Sequence, residues 1–284
     1  MTKTIIAAMA IMVIVILVLV ALLLFIKARL TPKGKVKIDI NEGKKVVEVT
    51  PGGNLLNTLA EQQIFLPSAC GGKGNCGQCK CRVVDGGGNI LPTEVGFFNR
   101  KQIQDHWRLG CQVKVKEDLK IVIPDSALSV KKLECEVISN DNVATFIKEF
   151  TVKLPEGEHL EFKSGEYIQI DIPAYELDFK DIDVAPEYRA DWERFGFFNL
   201  HSSNPVPTIR AYSMASYPGE KGIIKLNVRI ATPPFDRSVP RELGPKLLPV
   251  NPGIASSYVF TRKPGDKVII SGPYGEFLLP KNDP

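Results

Sequence analysis

The sequence predicts a mainly β α+β chain carried behind one N-terminal membrane-spanning helix. Three observations predict it. Thr4 to Ile26 is a run of 23 residues with no charge and no Gly or Pro. From Val36 onward, short stretches alternate apolar and polar residues and are punctuated by Gly and Pro, the mark of half-buried strands. At 284 residues the chain has room for about two domains beyond that first run. Hydrophobic residues make up 44% and charged residues 24%, which is ordinary for a folded chain and excludes a disordered or low-complexity protein as a whole.

Charge excludes another class. The net charge is +4, but residues 1–35 hold Lys3, Lys27, Arg29, Lys33 and Lys35 and no acid, leaving 31 bases against 32 acids elsewhere. A nucleic-acid binder needs a basic face. Here the excess sits beside one apolar segment, so no nucleic-acid partner is expected.

Residues 1–30 read as a transmembrane anchor. A bilayer core needs about 20 apolar residues as a helix, and an isolated span must satisfy its own backbone hydrogen bonds, which leaves helix as its form. A cleaved signal peptide would have an apolar region of about 7–15 residues and a small-residue cleavage site. This run is longer and is followed by Lys27-Ala-Arg29. Four bases follow the span and one precedes it, which puts the N-terminus outside and the rest of the chain in the cytoplasm.

After a linker at 31–34, Val36, Ile38 and Ile40 alternate with polar residues, Asn41-Glu-Gly43 forms a turn, and Val46 to Val49 returns. Pro51-Gly-Gly53 breaks the pattern. Asn54 then caps a short helix whose Leu55, Leu56, Leu59 and Ala60 face a core. A glycine-rich loop follows: Cys70-Gly-Gly-Lys-Gly-Asn-Cys76-Gly-Gln-Cys79-Lys-Cys81, with a distant Cys111 in Arg108-Leu-Gly-Cys-Gln112. Plant-type [2Fe–2S] sites use C-x4-C-x2-C and a distant Cys, and this chain has one more residue in the first gap. Four thiolates must converge on two irons, so the loop has to curl tightly, and Gly71, Gly72, Gly74 and Gly77 permit that. Cys70, Cys76, Cys79 and Cys111 are therefore the expected metal ligands.

Zinc also suits four thiolates, although zinc ribbons pair two C-x2-C units and Cys111 has no near partner. Disulfides are disfavoured in a reducing cytoplasm. A redox pair of Cys76 and Cys79 would leave Cys70 and Cys111 unexplained. Iron–sulfur is the preferred reading, with zinc next. Cys81 and Cys135 read as strand interiors, where a thiol behaves as a small hydrophobe. Gly72 to Gly77 matches G-x-G-x-x-G, but a dinucleotide fingerprint follows a strand and opens a helix. This match sits inside the cysteine loop, so it is rejected.

With these motifs in place, residues 35–125 resemble a ferredoxin domain of the β-grasp type. The resemblance implies that the four cysteines bind one [2Fe–2S] cluster.

Residues 131–284 are organised differently. Strands are expected at Cys135 to Ile138, Thr145 to Val152, Tyr167 to Ile172, Ile223 to Ile230 and Lys267 to Ser271, which reads as an all-β barrel or sandwich. Arg210-Ala-Tyr-Ser213 would put Arg210 and Tyr212 on one strand face. A guanidinium can grip a pyrophosphate by two prongs, and a phenol ring can lie on a flat aromatic system. Gly253-Ile-Ala-Ser256-Ser257-Tyr258 offers a Gly turn and a helix start, a place where free N–H groups meet phosphate. Gly272-Pro-Tyr-Gly-Glu-Phe277 follows.

Those three motifs, in that order, resemble the FAD domain of the ferredoxin–NADP reductase superfamily, an antiparallel β-barrel. By that resemblance Arg210 and Ser256, with Gly253 and Ser257 beside them, hold the FAD pyrophosphate. Tyr212 packs on the isoalloxazine and Ser213 lies near its reactive edge, making these two the catalytic candidates. Asn227 and Arg229, on the next strand, are weaker cofactor-binding candidates. An anchor, a ferredoxin and a flavin barrel in sequence resemble the F subunits of Na+-translocating NADH:quinone reductases. Ala211 to Ser216 and Leu226 to Pro234 add to the likeness.

That family implies hydride transfer from NADH to FAD and single-electron transfer to the cluster. Electrons then pass to other membrane subunits of the bacterial inner membrane, which reduce quinone and move sodium. Two departures are expected. Asp236 to Asn251 is longer than the family pattern. The chain also stops at Pro284 before the family's nucleotide-binding domain, so NADH activity from this fragment alone is not expected. Two other readings are a reductase component of an oxygenase system, which would not need the span at Thr4 to Ile26, and a membrane-anchored electron carrier without NADH activity.

Overall fold

The computed structural model describes residues 2–30, 34–239 and 244–275. It is a mainly β α+β chain. Helix α1 (Thr2–Leu30) runs for 29 residues. Its unbroken run of described side chains, Ile11 to Phe25, is fifteen residues and exposed throughout. Among the described residues no helix is long and apolar enough to cross a membrane, so the expected span of residues 1–30 rests on the sequence alone.

The chain divides into two compact units, residues 1–58 with 81–123 and residues 59–80 with 124–284. In the first, β1 (Val36–Ile40) pairs antiparallel with β2 (Lys45–Val49). Asn41, Glu42 and Gly43 all take positive φ between them, closing the expected turn. The five-stranded sheet runs β2-β1-β5-β3-β4, with β3 (Lys80–Asp85), β4 (Trp107–Leu109), and β5 (Leu119–Val122) parallel to β1. Helix α2 (Leu55–Glu61) starts where the side chain of Asn54 accepts from Asn57 N at 2.8 Å. Leu55 and Leu56 are buried under the sheet's return segment, donating to Val113 O (2.8 Å) and Gly110 O (3.0 Å). Each such buried Leu or Ile contributes about 1.5–3 kcal/mol of hydrophobic stabilisation. Two short helices, α3 (Pro92–Val95) and α4 (Arg100–Gln104), lead into β4.

The second unit is built on a six-stranded antiparallel sheet in the order β11-β8-β13-β6-β7-β12. A short α5 (Ser126–Ser129) precedes β6 (Lys131–Ala144) and β7 (Ile147–Lys153). Then come β8 (Tyr167–Ile172), β9 (Tyr175–Asp178), α6 (Pro186–Arg194), β10 (His201–Asn204) and β11 (Thr208–Ser213). The chain continues through β12 (Ile223–Arg229), α7 (Ile254–Phe260) and β13 (Lys267–Tyr274). Period-two alternation decides the inner face: on β12, Ile224, Leu226 and Val228 are buried while Asn227 and Arg229 are exposed. The sheet curls back on itself where Ala215 N, just after β11, donates to Lys225 O on β12 at 2.8 Å.

The stretch from Tyr175 to Leu200 is a built part of this unit. β9 pairs with β10, and Phe179, Trp192 and Phe197 are buried in the main core. Trp192 is fully buried, donates from Nε1 to Thr145 O at 2.7 Å and stacks on Phe260 at 6.0 Å. Phe235, just before residue 236, bridges to Leu247. Glu276, Phe277 and the end of the chain at Pro284 lie outside the described residues.

Candidate functional site

The cysteine loop belongs to the second unit, between α2 and β3. Gly71, Gly72, Gly74 and Gly77 all hold φ between 65° and 84°, a left-handed conformation that side-chain-bearing residues rarely adopt. These glycines curl the loop until the Cys76 and Cys70 sulfurs lie 3.3 Å apart. No disulfide forms among the six cysteines. Burial pushes the Cys70 thiol up, but hydrogen bonding from the Asn75 backbone, the Cys76 side chain and the Cys76 and Lys73 backbone outweighs it and brings Cys70 down to about 6. Burial, with Cys70 alongside, pushes Cys76 up. The loop opens no helix, which agrees with rejecting Gly72 to Gly77 as a dinucleotide fingerprint.

Cys79 is buried at the end of the loop. Among the described residues, no group of three or more His, Cys, Asp or Glu stands together as a metal-holding cluster. The donor chemistry nonetheless fits a [2Fe–2S] cluster: thiols, one already shifted toward thiolate at neutral pH, in a loop whose backbone bonds to sulfur. Cys81, fully buried in β3, and Cys135, buried in β6, are both pushed up to about 12 by burial and stay protonated.

In the first unit, Cys111 is buried just past β4, where Gln112 N donates to Leu109 O (2.8 Å) and Gln112 Nε2 reaches Cys111 Sγ (3.8 Å). A buried ion pair fixes this return. Arg108 Nη2 lies 2.9 Å from Glu94 Oε2, and Glu94 also accepts from Leu109 N (2.8 Å) and Leu91 N (2.9 Å). Arg108 Nη1 donates to Gly88 O (2.8 Å) and Gly87 O (3.2 Å). Sequence reasoning missed both residues. Their only signal is an acid in a Pro-started turn, far upstream of the Arg beside Leu109-Gly-Cys111.

In the second unit's sheet, Arg210 and Tyr212 are half-buried on β11 and Ser213 is exposed. Two residues apart on one strand, Arg210 and Tyr212 share a face. Burial pushes the Tyr212 phenol up to about 12 against the pull of Arg210. Arg210 Nη1 donates to Ile209 O (2.7 Å), Thr208 Oγ1 (2.8 Å) and Cys70 O (3.3 Å).

Gly253 precedes α7 and donates to Ala231 O at 2.7 Å, and a Cβ there would come within 2.5 Å of Ala231 Cβ. Ser256 Oγ is already engaged, accepting from Ala231 N (3.1 Å) and donating to Gly253 O (3.0 Å). Ser257 is fully buried and its hydroxyl makes no hydrogen bond of normal geometry, though it is near enough to the Tyr175 phenol to bear on its acidity. A half-buried guanidinium, a half-buried phenol ring, an exposed hydroxyl and an orphaned buried one fit a flavin dinucleotide. Asn227 and Arg229 stand exposed on β12.

The chain matches the 2Fe-2S iron-sulfur cluster binding domain over residues 38–116 and the oxidoreductase FAD-binding domain over residues 196–278. It is 54% identical over 262 residues to the F subunit of the Na(+)-translocating NADH-quinone reductase of Psychrobacter arcticus, covering 92% of this chain and 62% of that protein. It is 51% identical over 263 residues to the protein of the same name in Idiomarina loihiensis, with the same coverage. The chain thus spans 62% of the length of these relatives. Among solved structures, the Amycolatopsis cytochrome P450 reductase GcoB matches with a TM-score of 0.47 at 20% identity, covering 87% of this chain and 59% of that one, a likeness too loose to carry argument. On sequence identity and domain order, the chain is similar to the F subunits of Na(+)-translocating NADH-quinone reductases, and it matches an iron–sulfur domain family followed by an FAD-binding one.

Proposed function

We propose that this chain is the electron-input portion of a Na+-translocating NADH:quinone oxidoreductase. The observation that carries it is the glycine loop that brings the Cys70 and Cys76 sulfurs to 3.3 Å, in the same unit as the strand bearing Arg210, Tyr212 and Ser213. Cys70, Cys76, Cys79 and Cys111 would hold a [2Fe–2S] cluster. Arg210, with Gly253, Ser256 and Ser257, would hold the pyrophosphate of FAD. Tyr212 would pack on the isoalloxazine with Ser213 at its reactive edge, and Asn227 and Arg229 would flank it. Bound together, the two groups supply exchange between two-electron and one-electron transfer. NADH is the hydride donor. Quinone is the acceptor, reached through other membrane subunits.

The chain's own residues set the conditions. Loop amides at sulfur stabilise negative charge there. The Arg210 guanidinium offsets phosphate charge in two-pronged fashion. The Tyr212 phenol stays neutral at physiological pH, with its pKa pushed up to about 12 by burial. The uncharged run from Thr4 to Ile26 supports a single span of the bacterial inner membrane, with the four bases after it favouring cytoplasmic domains and an outside N-terminus. A span with no ionisable residue offers no ion path, so sodium would move through other subunits.

Visible absorption and electron paramagnetic resonance of the purified protein test this reading. Cys76→Ser should abolish the cluster signal and leave flavin bound. Arg210→Leu should lower FAD occupancy. A colourless protein with zinc as its only metal would overturn the proposal.

A further inference from the structure

The segment 59–80 is fastened to the barrel within the second unit at three places. Phe65 packs with Val130 and Tyr274, and the ammonium of Lys132 lies 5.3 Å from the Phe65 ring centre. Gln78 Oε1 accepts from Ala69 N and from the Tyr167 hydroxyl, each at 3.0 Å. The third place is Arg210 on β11, whose Nη1 donates to Cys70 O. Gly71 allows this approach: a Cβ there would stand 2.8 Å from Arg210 Nη1 and Thr208 Oγ1 and 2.9 Å from Ile209 O. Since Ile209 O is backbone, a larger residue could not be absorbed by a side-chain swing alone.

We propose that Arg210 is a positioning residue for the cysteine loop as well as a flavin ligand, so that the carbonyl of Cys70 and the FAD pyrophosphate are held by one guanidinium. The inference rests on the cluster and flavin sites proposed above. Among the described residues, the guanidinium hydrogen bonds of Arg210 to Cys70 O, Thr208 Oγ1 and Ile209 O all leave from Nη1. A guanidinium carries five N–H groups in a fixed fork, so one edge can serve the loop and another a phosphate. A lysine, with one rotatable ammonium, cannot span both. Two ligands that order the same group are linked reciprocally: FAD should steady the cysteine loop, and an intact loop should favour FAD.

The test is the rate of iron release to a chelator from the purified full chain, with and without FAD, alongside the resonance spectrum of the reduced cluster. In the unaltered protein FAD should slow release by at least about fivefold. Arg210→Lys should release iron about tenfold faster, consistent with one lost charge-assisted hydrogen bond, and the FAD effect should vanish. Gly71→Ala reaches the contact from the loop side: it should also speed release, shift the cluster spectrum and lower FAD affinity by the factor by which FAD no longer protects the iron. Iron release that ignores FAD in the unaltered protein, or matches it in both variants with an identical spectrum, overturns the dual role while leaving the cluster and flavin assignments standing. No cluster signal in the unaltered protein overturns the proposed function and this inference together.

Discussion

At the scale of single residues, the strongest structural commitment is the Glu94–Arg108 pair. Glu94 is fully buried and Arg108 is 5% exposed, and each finds several partners. An exposed pair such as Lys37–Glu48, at 3.8 Å with both side chains more than half exposed, contributes at most about 1 kcal/mol. Removing one member of a buried pair leaves an uncompensated charge and costs about 3–5 kcal/mol. Glu94→Gln should therefore lower stability by about that much in urea unfolding. Replacing both residues by apolar ones of similar volume should recover most of the loss. A loss under about 1 kcal/mol in the single variant would mean that water reaches the site. Since Leu109 N donates to Glu94 and Cys111 follows two residues later, the same variant should weaken retention of the cluster.

At the scale of elements, α6 and the β9–β10 ribbon carry the two clearest tests. Trp192→Ala on α6 should cost about 3–5 kcal/mol of unfolding free energy, because the indole is fully buried and its N–H serves Thr145 O. On the ribbon, His201 sits between Asp178 (2.8 Å) and Glu176 (2.6 Å), and hydrogen bonds to these carboxylates, Asp178 first, hold its pKa above the usual 6.5. A raised folded pKa gives stability that is full below the unfolded value and fades as pH rises through the folded one. The melting difference between the native protein and His201→Asn should therefore be largest below pH 6.5 and shrink above it. A difference flat across that range would show that the imidazole does not titrate there.

The same elements show what was legible in the sequence. β1 and β12 could be read because one face is buried and the other is not, so burial imposes a period of two. The curl of the cysteine loop could be read because the glycines that permit it stand in the sequence between the cysteines. α6 could not: in Pro186-Glu-Tyr-Arg-Ala-Asp-Trp-Glu-Arg194 Trp192 is the buried residue, and one anchor makes no periodicity. Glu94 was equally hidden, because Arg108 and Leu109 lie 14 and 15 residues along the chain and its one local mark is to be the acid of a Pro-started turn. The place of Arg210 on a strand was legible, while its bond to Cys70, 140 residues away, belongs to tertiary structure alone.

At the scale of the whole molecule, the proposed membrane anchor can be tested from its composition. The apolar run contains no charge from Thr4 to Ile26. Each Leu, Ile, Phe or Val at its centre favours insertion by about 0.3–0.6 kcal/mol, while one Asp or Arg there costs about 2.5–3.5 kcal/mol. One charge therefore cancels the contribution of about four to twelve apolar residues. Leu17→Arg, near the middle of the run, should shift a clear fraction of the protein from the membrane pellet to the alkaline-carbonate supernatant. Deleting residues 2–30 should shift all of it, with the visible spectrum intact if the cofactors sit in the rest of the chain. Sealed inverted vesicles test orientation: protease added outside should digest the domains after Lys27, because the bases that flank the span favour the cytoplasmic side. Domains protected in such vesicles, or a truncated chain that still pellets, would refute the single cytoplasm-facing anchor.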